Sequence, residues 1–159
     1  LRLKLKQNHM KYEQKIVIDK PLNEVIEKFS DPDSLKHWQE GFIFMKPING
    51  VLGEKGSQNL LKFKMNGREI KMTETILANE LPQKYEATYV AQGVFNQQAN
   101  YFEEIEPGKT LWRTHNEFRF SGFMKAIGML MPGAFKKQSK QFMTDFKAFA
   151  EEGKSVLDK

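Results

Sequence analysis

The stretch GFMKAIGMLMPGAFKKQSKQFMTDFKAF, from Gly122 to Phe149, decides the fold because it places aromatic side chains at helical spacing near the end of the chain. It holds four of the eight Met and five of the thirteen Phe. Steps of seven, four and three residues separate a stripe of aromatic side chains on one helix face: Phe135, Phe142, Phe146 and Phe149. The spacing predicts a helix from about Pro132 to Glu152 that ends at Gly153.

The strand that precedes this stretch has one apolar face that the helix can cover. Inward positions of KTLWRTHNEFRF are predicted from the alternation: Trp112, Thr114, Asn116, Phe118 and Phe120. Each buried Phe of the stripe stabilises the folded chain by roughly 1.5–3 kcal/mol, so the helix should dock on its own sheet. Lys125 interrupts the apolar stretch, which argues against a membrane span.

The rest of the chain predicts one strand, two short helices and an antiparallel meander. Pro21 opens a helix with apolar residues at helical spacing, and Asp31-Pro32 ends it before a second short helix around Trp38. Asn66-Gly67 between two apolar runs is a strong hairpin signal. Six further strands are separated by turn residues as far as the Gly122 stretch.

Composition limits the classes of protein to consider. The 159 residues contain no Cys and carry a net charge of +5. Arg2, Lys4 and Lys6 lie in residues 1–9, which we interpret as a tag-like or upstream extension ahead of Met10, the alternative being a genuine basic arm. Without these three residues, 22 basic residues face 20 acidic ones, so basicity does not favour nucleic-acid binding.

The order of elements resembles the START-like superfamily, also called SRPBCC, which includes polyketide cyclase and dehydrase-like proteins. The matching segments are Asp19-Lys20-Pro21 with Val25, Asp31-Pro32 with Trp38, the hairpin Thr73–Tyr89, and the turn Pro107–Thr110. The resemblance implies an α+β helix-grip fold. In it, a curved antiparallel sheet of about seven strands wraps around a long C-terminal helix, with two short helices after the first strand. We therefore expect one START-like domain over residues 10–153 and a C-terminal tail at 154–159.

The resemblance also implies a cavity between the sheet and the long helix. The candidate lining residues are mostly apolar: Met72, Trp112, Phe118, Phe120, Met131, Phe135, Phe142 and Phe146. A side chain in such a stripe is at least as often ordinary core as cavity wall.

Polar residues on the predicted inner faces are candidates for orienting a ligand. Glu74 shares strand parity with Ile70 and Met72, and a carboxylate there could act as an acid or base or only as a hydrogen-bonded partner. Asn116 lies on the apolar face of the last strand, and Tyr89 could offer a hydroxyl.

On VFNQQANYF, the apolar residues Phe95, Ala99 and Tyr101 share one strand parity, and the amides Asn96, Gln98 and Asn100 share the other. This alternation predicts that Gln97 faces inward with the apolar set.

The usual catalytic and metal-binding motifs are missing from the sequence. No two His have metal-ligand spacing, and neither a GxSxG elbow nor a phosphate loop is present. We therefore predict no metal, no cofactor and no nucleic-acid partner. No secretory leader or membrane span is visible, so we expect a cytoplasmic protein, either monomeric or homodimeric.

Three functional hypotheses follow. The first is binding of a hydrophobic small molecule, lipid-like or aromatic, without catalysis. The second is a cyclase or dehydratase type of enzyme that uses Glu74 or a Tyr for proton transfer. The third is a protein-interaction domain that resembles the chaperone activators of the same superfamily, with Met124, Met129 and Met131 at its surface.

Overall fold

A computed structural model describes residues 9–159 and shows one curved sheet with helices on its inner side. The strands are β1 (His9–Ile18), β2 (Phe42–Asn49), β3 (Gln58–Met65), β4 (Arg68–Glu80), β5 (Lys84–Ala91), β6 (Val94–Glu106) and β7 (Lys109–Phe120). The helices are α1 (Leu22–Ser30), α2 (Leu35–Trp38), α3 (Met124–Leu130) and α4 (Pro132–Glu152).

All neighbouring strands pair antiparallel, in the order β1-β7-β6-β5-β4-β3-β2. The predicted α+β helix-grip fold, with seven strands and two short helices after the first, is therefore confirmed. Asn66 and Gly67 have φ angles of 51° and 76°, as a two-residue hairpin between β3 and β4 requires. The chain direction places the β3–β4 and β5–β6 turns at the same end of the sheet as α3.

Helix α4 has the predicted bounds and lies along the sheet next to β1. Its end is capped by Gly153, whose φ of 68° and N–H bond to the Phe149 carbonyl satisfy the last turn. Near the other end of α4, Tyr12 Oη lies 2.6 Å from Ser139 Oγ. The Tyr12–Ser139 contact joins β1 to α4 and helps to hold the helix over the inner face of the sheet.

The main core lies where α1, α2 and the second half of α4 meet β1, β6 and β7. Its buried members are Ile18, Val25, Trp38, Phe102, Trp112, Met143, Phe146 and Ala150. A smaller cluster of Tyr12, Phe118 and Phe120 packs against Phe135 near α3. Leu61, Phe63 and Ile76 on β3 and β4 are buried but belong to neither cluster, and they line a cavity.

The chain ends differ in what the structure shows. Most of the predicted 1–9 extension lies outside the described residues, but His9 is the first residue of β1 and pairs with Arg119. The segment 154–159 folds back on α2, with His37 Nδ1 2.9 Å from Ser155 Oγ. No helix within residues 9–159 is long and apolar enough to cross a membrane.

Candidate functional site

A cavity of about 610 Å³ lies between the inner face of the sheet and the helices. Its walls come from β2 to β7 and the β2–β3 loop, from α1 and α2, and from α3 and the first half of α4. Both ends reach the surface, because Leu52 and Met131 line the cavity and are 47% and 55% exposed. The space is large enough for a drug-sized molecule.

Most of the cavity wall is apolar. The larger apolar lining residues from the sheet are Leu61, Phe63, Ile70, Met72, Ile76, Trp112 and Phe118. Those from the helices are Phe29, Leu35, Trp38, Met124, Ile127, Phe135, Phe142 and Met143. Such walls supply affinity for apolar ligand surface in proportion to the area removed from water.

A row of polar side chains crosses this apolar wall at one level of the sheet. Asn59, Glu74 and Tyr89 are directly opposite one another on β3, β4 and β5, and Asn96 follows on β6. All four line the cavity. Antiparallel register therefore concentrates the polar groups that the sequence distributes over four strands.

Glu74 lies at the centre of this row and is almost fully buried. Only 7% of its surface is exposed, and its Oε1 accepts a 3.0 Å hydrogen bond from Asn59 Nδ2. Asn59 is 1% exposed, and its own Oδ1 has no hydrogen-bond partner among residues 9–159. A buried polar atom without a partner is uncommon in a folded protein, and here it belongs to a cavity residue.

Two tyrosines lie close to the Glu74 carboxylate. Burial, and then the negative charge of Glu74, raise the pKa of Tyr85 and of Tyr89 well above the usual range for phenols. Both hydroxyls therefore stay protonated at neutral pH. A protonated hydroxyl can donate to a carboxylate or to a ligand and can also accept a hydrogen bond.

A second set of amides continues the polar surface toward β7. Asn96 Nδ2 and Gln98 Nε2 both donate to Asn116 Oδ1 at 3.3 Å. Asn116 is 3% exposed and lies beneath these two lining residues. Its amide therefore orients two cavity side chains and does not itself contact the cavity.

The charges around the cavity have one sign. Within residues 9–159, Glu74 and Asp31 are the lining residues with ionisable acidic groups, and no Lys, Arg or His lines the space. Asp31 lies at the exposed end near α1, where its Oδ1 caps the following turn by accepting from the Asp33 N–H. Glu74 is thus the one carboxylate in the enclosed part of the described cavity.

Eight of the twelve residues predicted for the site line the cavity: Met72, Glu74, Tyr89, Trp112, Phe118, Met131, Phe135 and Phe142. This placement shows where the side chains are, and their contact with a ligand remains a proposal. Phe120 and Phe146 lie in the core, not at the cavity wall. Phe146 is fully buried among aromatic rings, and Phe120 packs against Phe118 and Phe135.

The predicted inward position of Gln97 is wrong. Gln97 Nε2 donates to Glu86 Oε1 at 2.7 Å on the outer face of the sheet, and its neighbours Asn96 and Gln98 face the cavity. The apolar residues that suggested the opposite parity are covered by basic side chains outside. Arg119 lies over the Phe95 ring at 5.1 Å, and Arg113 lies over Tyr101 at 5.6 Å.

Asn59 and the contribution of α1 and α2 to the cavity wall were not predicted from the sequence. Asn59 shares parity with Leu61 and Phe63 on β3, so a polar residue within an apolar row was the available signal. Phe29 and Trp38 reach the cavity through tertiary packing, which short-range periodicity does not report. No group of three His, Asp or Glu within residues 9–159 is arranged to hold a metal ion.

Several solved structures share this architecture. A conserved protein from Geobacillus kaustophilus superposes with a TM-score of 0.75 at 16% identity, covering 89% of this chain and 95% of that one. Ara h 8.0201 has a TM-score of 0.71 at 12% identity, covering 89% and 97%. The Zhui aromatase/cyclase from Streptomyces sp. R1128 also has a TM-score of 0.71 at 12% identity, covering 89% and 93%. At these identities the likeness shows the fold alone.

The sequence itself carries the family relationship. No curated protein matches this chain. Residues 9–151, nearly the whole described chain, match the family described as polyketide cyclase / dehydrase and lipid transport. The chain therefore belongs to that family, which lies within the START-like superfamily that its sequence resembles.

Proposed function

We propose that this protein binds a hydrophobic small molecule reversibly in the cavity between the sheet and α4. The observation that carries the proposal is a cavity of about 610 Å³ whose apolar walls surround a few converging polar groups. Concave, mainly apolar pockets with a small number of polar groups are the usual form of small-molecule sites.

The comparisons agree with this proposal at a coarse level. The family description includes lipid transport, and one neighbour in structure is an aromatase/cyclase. The finer choice between a lipid-like and an aromatic ligand belongs to the proposal.

Native mass spectrometry after incubation with a lipid extract tests whether a ligand binds. We expect a discrete added mass that disappears when the protein is denatured, and fragmentation of the released molecule then identifies it. A protein that stays at its own mass after incubation with lipid and aromatic extracts would contradict the proposal.

A second candidate is catalysis by Glu74, which its position in the cavity favours. A buried carboxylate beside the hydroxyls of Tyr85 and Tyr89 is an arrangement that can move a proton to or from a bound substrate. Under this alternative, Glu74→Gln keeps ligand binding and loses turnover of that ligand. Equal turnover by the variant would exclude Glu74 as the acid or base.

A third candidate is a protein-interaction surface around α3. Phe123 and Leu130 are 78% and 79% exposed, and Met129 and Met131 lie beside them. Exposed apolar patches on a folded domain often mark contact surfaces. If this surface binds a protein, replacing Met129 and Leu130 by Gln abolishes capture of that protein and leaves small-molecule binding in the cavity intact.

A further inference from the structure

We infer that the ligand presents a hydrogen-bond-donating head without negative charge, such as a hydroxyl or an ammonium group, to Glu74, and that the cavity discriminates against carboxylates. This inference rests on the proposed function and names the chemical class of its ligand.

The charge of the cavity favours a donor on the ligand. Glu74 is 7% exposed, its side-chain hydrogen bonds come from the neutral Asn59 amide and Tyr89 hydroxyl, and no basic residue of the described chain lines the space. A buried carboxylate is usually compensated by a cation or by several donors. Because both of these donors are neutral, a cation or a further donor on the ligand would stabilise the carboxylate.

The cavity wall also has a surplus of acceptor atoms. Among residues 9–159, Asn59 Oδ1 is buried without a partner, beside the carboxylate that its own Nδ2 contacts. Two acceptor groups therefore converge at one level of the sheet. Because Asn59 Oδ1 has almost no accessible surface, a hydroxyl or ammonium hydrogen of the ligand would be directed at the Glu74 carboxylate.

The cavity disfavours an anionic head group. A carboxylate in this cavity would lose its hydration, meet no basic side chain among the lining residues and be repelled by Glu74. The Tyr85 and Tyr89 hydroxyls could donate to it, but neutral donors do not remove the repulsion. A ligand with a free carboxylate is therefore disfavoured in proportion to how deeply its head is buried.

Trp38 is a further donor near the cavity. Its side chain lines the helical wall, and its indole N–H is buried without a partner among residues 9–159. This atom has almost no accessible surface, so it offers an anionic head group no direct hydrogen bond. It is also neutral and does not change the sign of the charge in the cavity.

The test uses three amphiphiles with the same saturated chain: dodecanol, dodecylamine and dodecanoate. Affinities at neutral pH are measured below the micellar range by isothermal titration calorimetry. We expect the alcohol, the amine or both to bind at least roughly tenfold more tightly than the carboxylate, because repulsion in a low-dielectric site exceeds that in water. Preference for the amine identifies an ion pair with Glu74, and preference for the alcohol identifies a neutral hydrogen bond.

Two variants test whether Glu74 causes the discrimination against the carboxylate ligand. Glu74→Gln keeps an oxygen that can accept from Asn59 and removes the charge, so the difference between dodecanoate and the other two compounds should shrink. Glu80→Gln, at the exposed end of the same strand, should leave the difference unchanged. A difference that persists in Glu74→Gln would overturn the assignment to Glu74.

The outcomes separate the two proposals. Binding of dodecanoate as tight as that of dodecanol and dodecylamine would overturn the inference about the head group and leave hydrophobic binding standing. Failure of all three compounds to bind, in a protein shown to be folded by circular dichroism, would contradict the proposed function and this inference together.

Discussion

The side chains of Asn59 and Glu74 meet across strands β3 and β4, where Asn59 Nδ2 donates to Glu74 Oε1 over 3.0 Å. Each residue is more than nine-tenths buried, and both line the cavity. Apolar residues flank them along both strands. Burying this polar pair costs desolvation energy that apolar residues would not incur, so its position in the cavity favours a functional role.

The Asn59–Glu74 pair can be tested through stability. We expect Asn59→Leu to lower the free energy of unfolding by about 1–3 kcal/mol, because Glu74 loses one of its donors. The double variant Asn59→Leu/Glu74→Met should recover most of that loss in urea unfolding, since the buried carboxylate that lost the donor is then removed as well. An additive loss in the double variant would contradict this account of the pair.

Phe142 tests the helical wall of the cavity. Its ring lies 6.5 Å from those of Phe63 and Trp38, measured between centroids. We expect Phe142→Arg to weaken binding of an apolar ligand by at least roughly a hundredfold, because the charge must be desolvated for the ligand to enter.

Thr144→Arg is the matched control for Phe142→Arg, since it adds the same residue on the exposed side of α4. Binding by this control should equal that of the unmodified protein. Unchanged affinity of a folded Phe142→Arg variant would remove Phe142 from the binding site.

The buried Tyr12 hydroxyl should make the stability of the folded protein depend on pH in alkaline solution. Burial raises its pKa from 10.0 to about 12, against the smaller opposing effect of its hydrogen bond with Ser139. Between these values the unfolded chain releases the phenolic proton and the folded chain keeps it. The free energy of unfolding should therefore be unaffected by Tyr12 below pH 10.0 and fall as the pH rises toward about 12.

Urea unfolding over an alkaline pH series measures this dependence. Tyr12→Phe should flatten the decline between pH 10.0 and about 12, although the same variant loses the bond to Ser139 and is less stable at neutral pH. Tyr85 and Tyr89 contribute to the decline with the same sign. An identical slope in Tyr12→Phe would show that the group titrates normally in the folded protein.

Gly128 allows α3 to pack closely on Phe120 of β7. A Cβ atom added there would lie 2.7 Å from Cδ2 of the Phe120 ring, closer than side chains tolerate. We expect Gly128→Ala to lower the free energy of unfolding by about 1–3 kcal/mol, since α3 must shift away from β7. Gly133→Ala has open space and should be neutral or stabilising by up to about 1 kcal/mol.

Most of the fold could be predicted from local signals. Asn66-Gly67 specifies its hairpin because both residues accept positive φ, and the Phe stripe specifies α4 because four rings fall on one helix face. Alternation on β7 predicted its inner face correctly, since Trp112, Phe118 and Phe120 are buried there together with the small or amide side chains of Thr110, Thr114 and Asn116.

The cavity was harder to predict because its inner face is partly polar. On β6 the amides of Asn96 and Gln98 face the cavity, whereas Phe95 and Tyr101 lie outside beneath Arg119 and Arg113. The rule that apolar residues face inward therefore assigned the two faces in reverse. The row from Asn59 to Asn96 also depends on strand register, which no single strand reveals.

The central claim is that the cavity takes up a hydrophobic small molecule, and the tryptophans report on it directly. The chain has two Trp, and both Trp38 and Trp112 line the cavity. A bromine atom quenches indole fluorescence on close approach, so a long-chain bromoalkyl alcohol serves as both ligand and quencher. Leu61→Phe enlarges a side chain that lines the cavity and should therefore weaken the quenching. Leu60 is on the same strand but does not line the cavity, so Leu60→Phe should leave the quenching unchanged.

The most direct measurement is therefore a titration of Trp fluorescence with the bromoalkyl alcohol, in parallel with the same alcohol without bromine. If the cavity binds the alcohol, we expect saturable quenching at one ligand per chain, which the unbrominated alcohol reverses by competition. Quenching that rises linearly without saturation, like that of free tryptophan in solution, would contradict the claim that the cavity binds hydrophobic molecules.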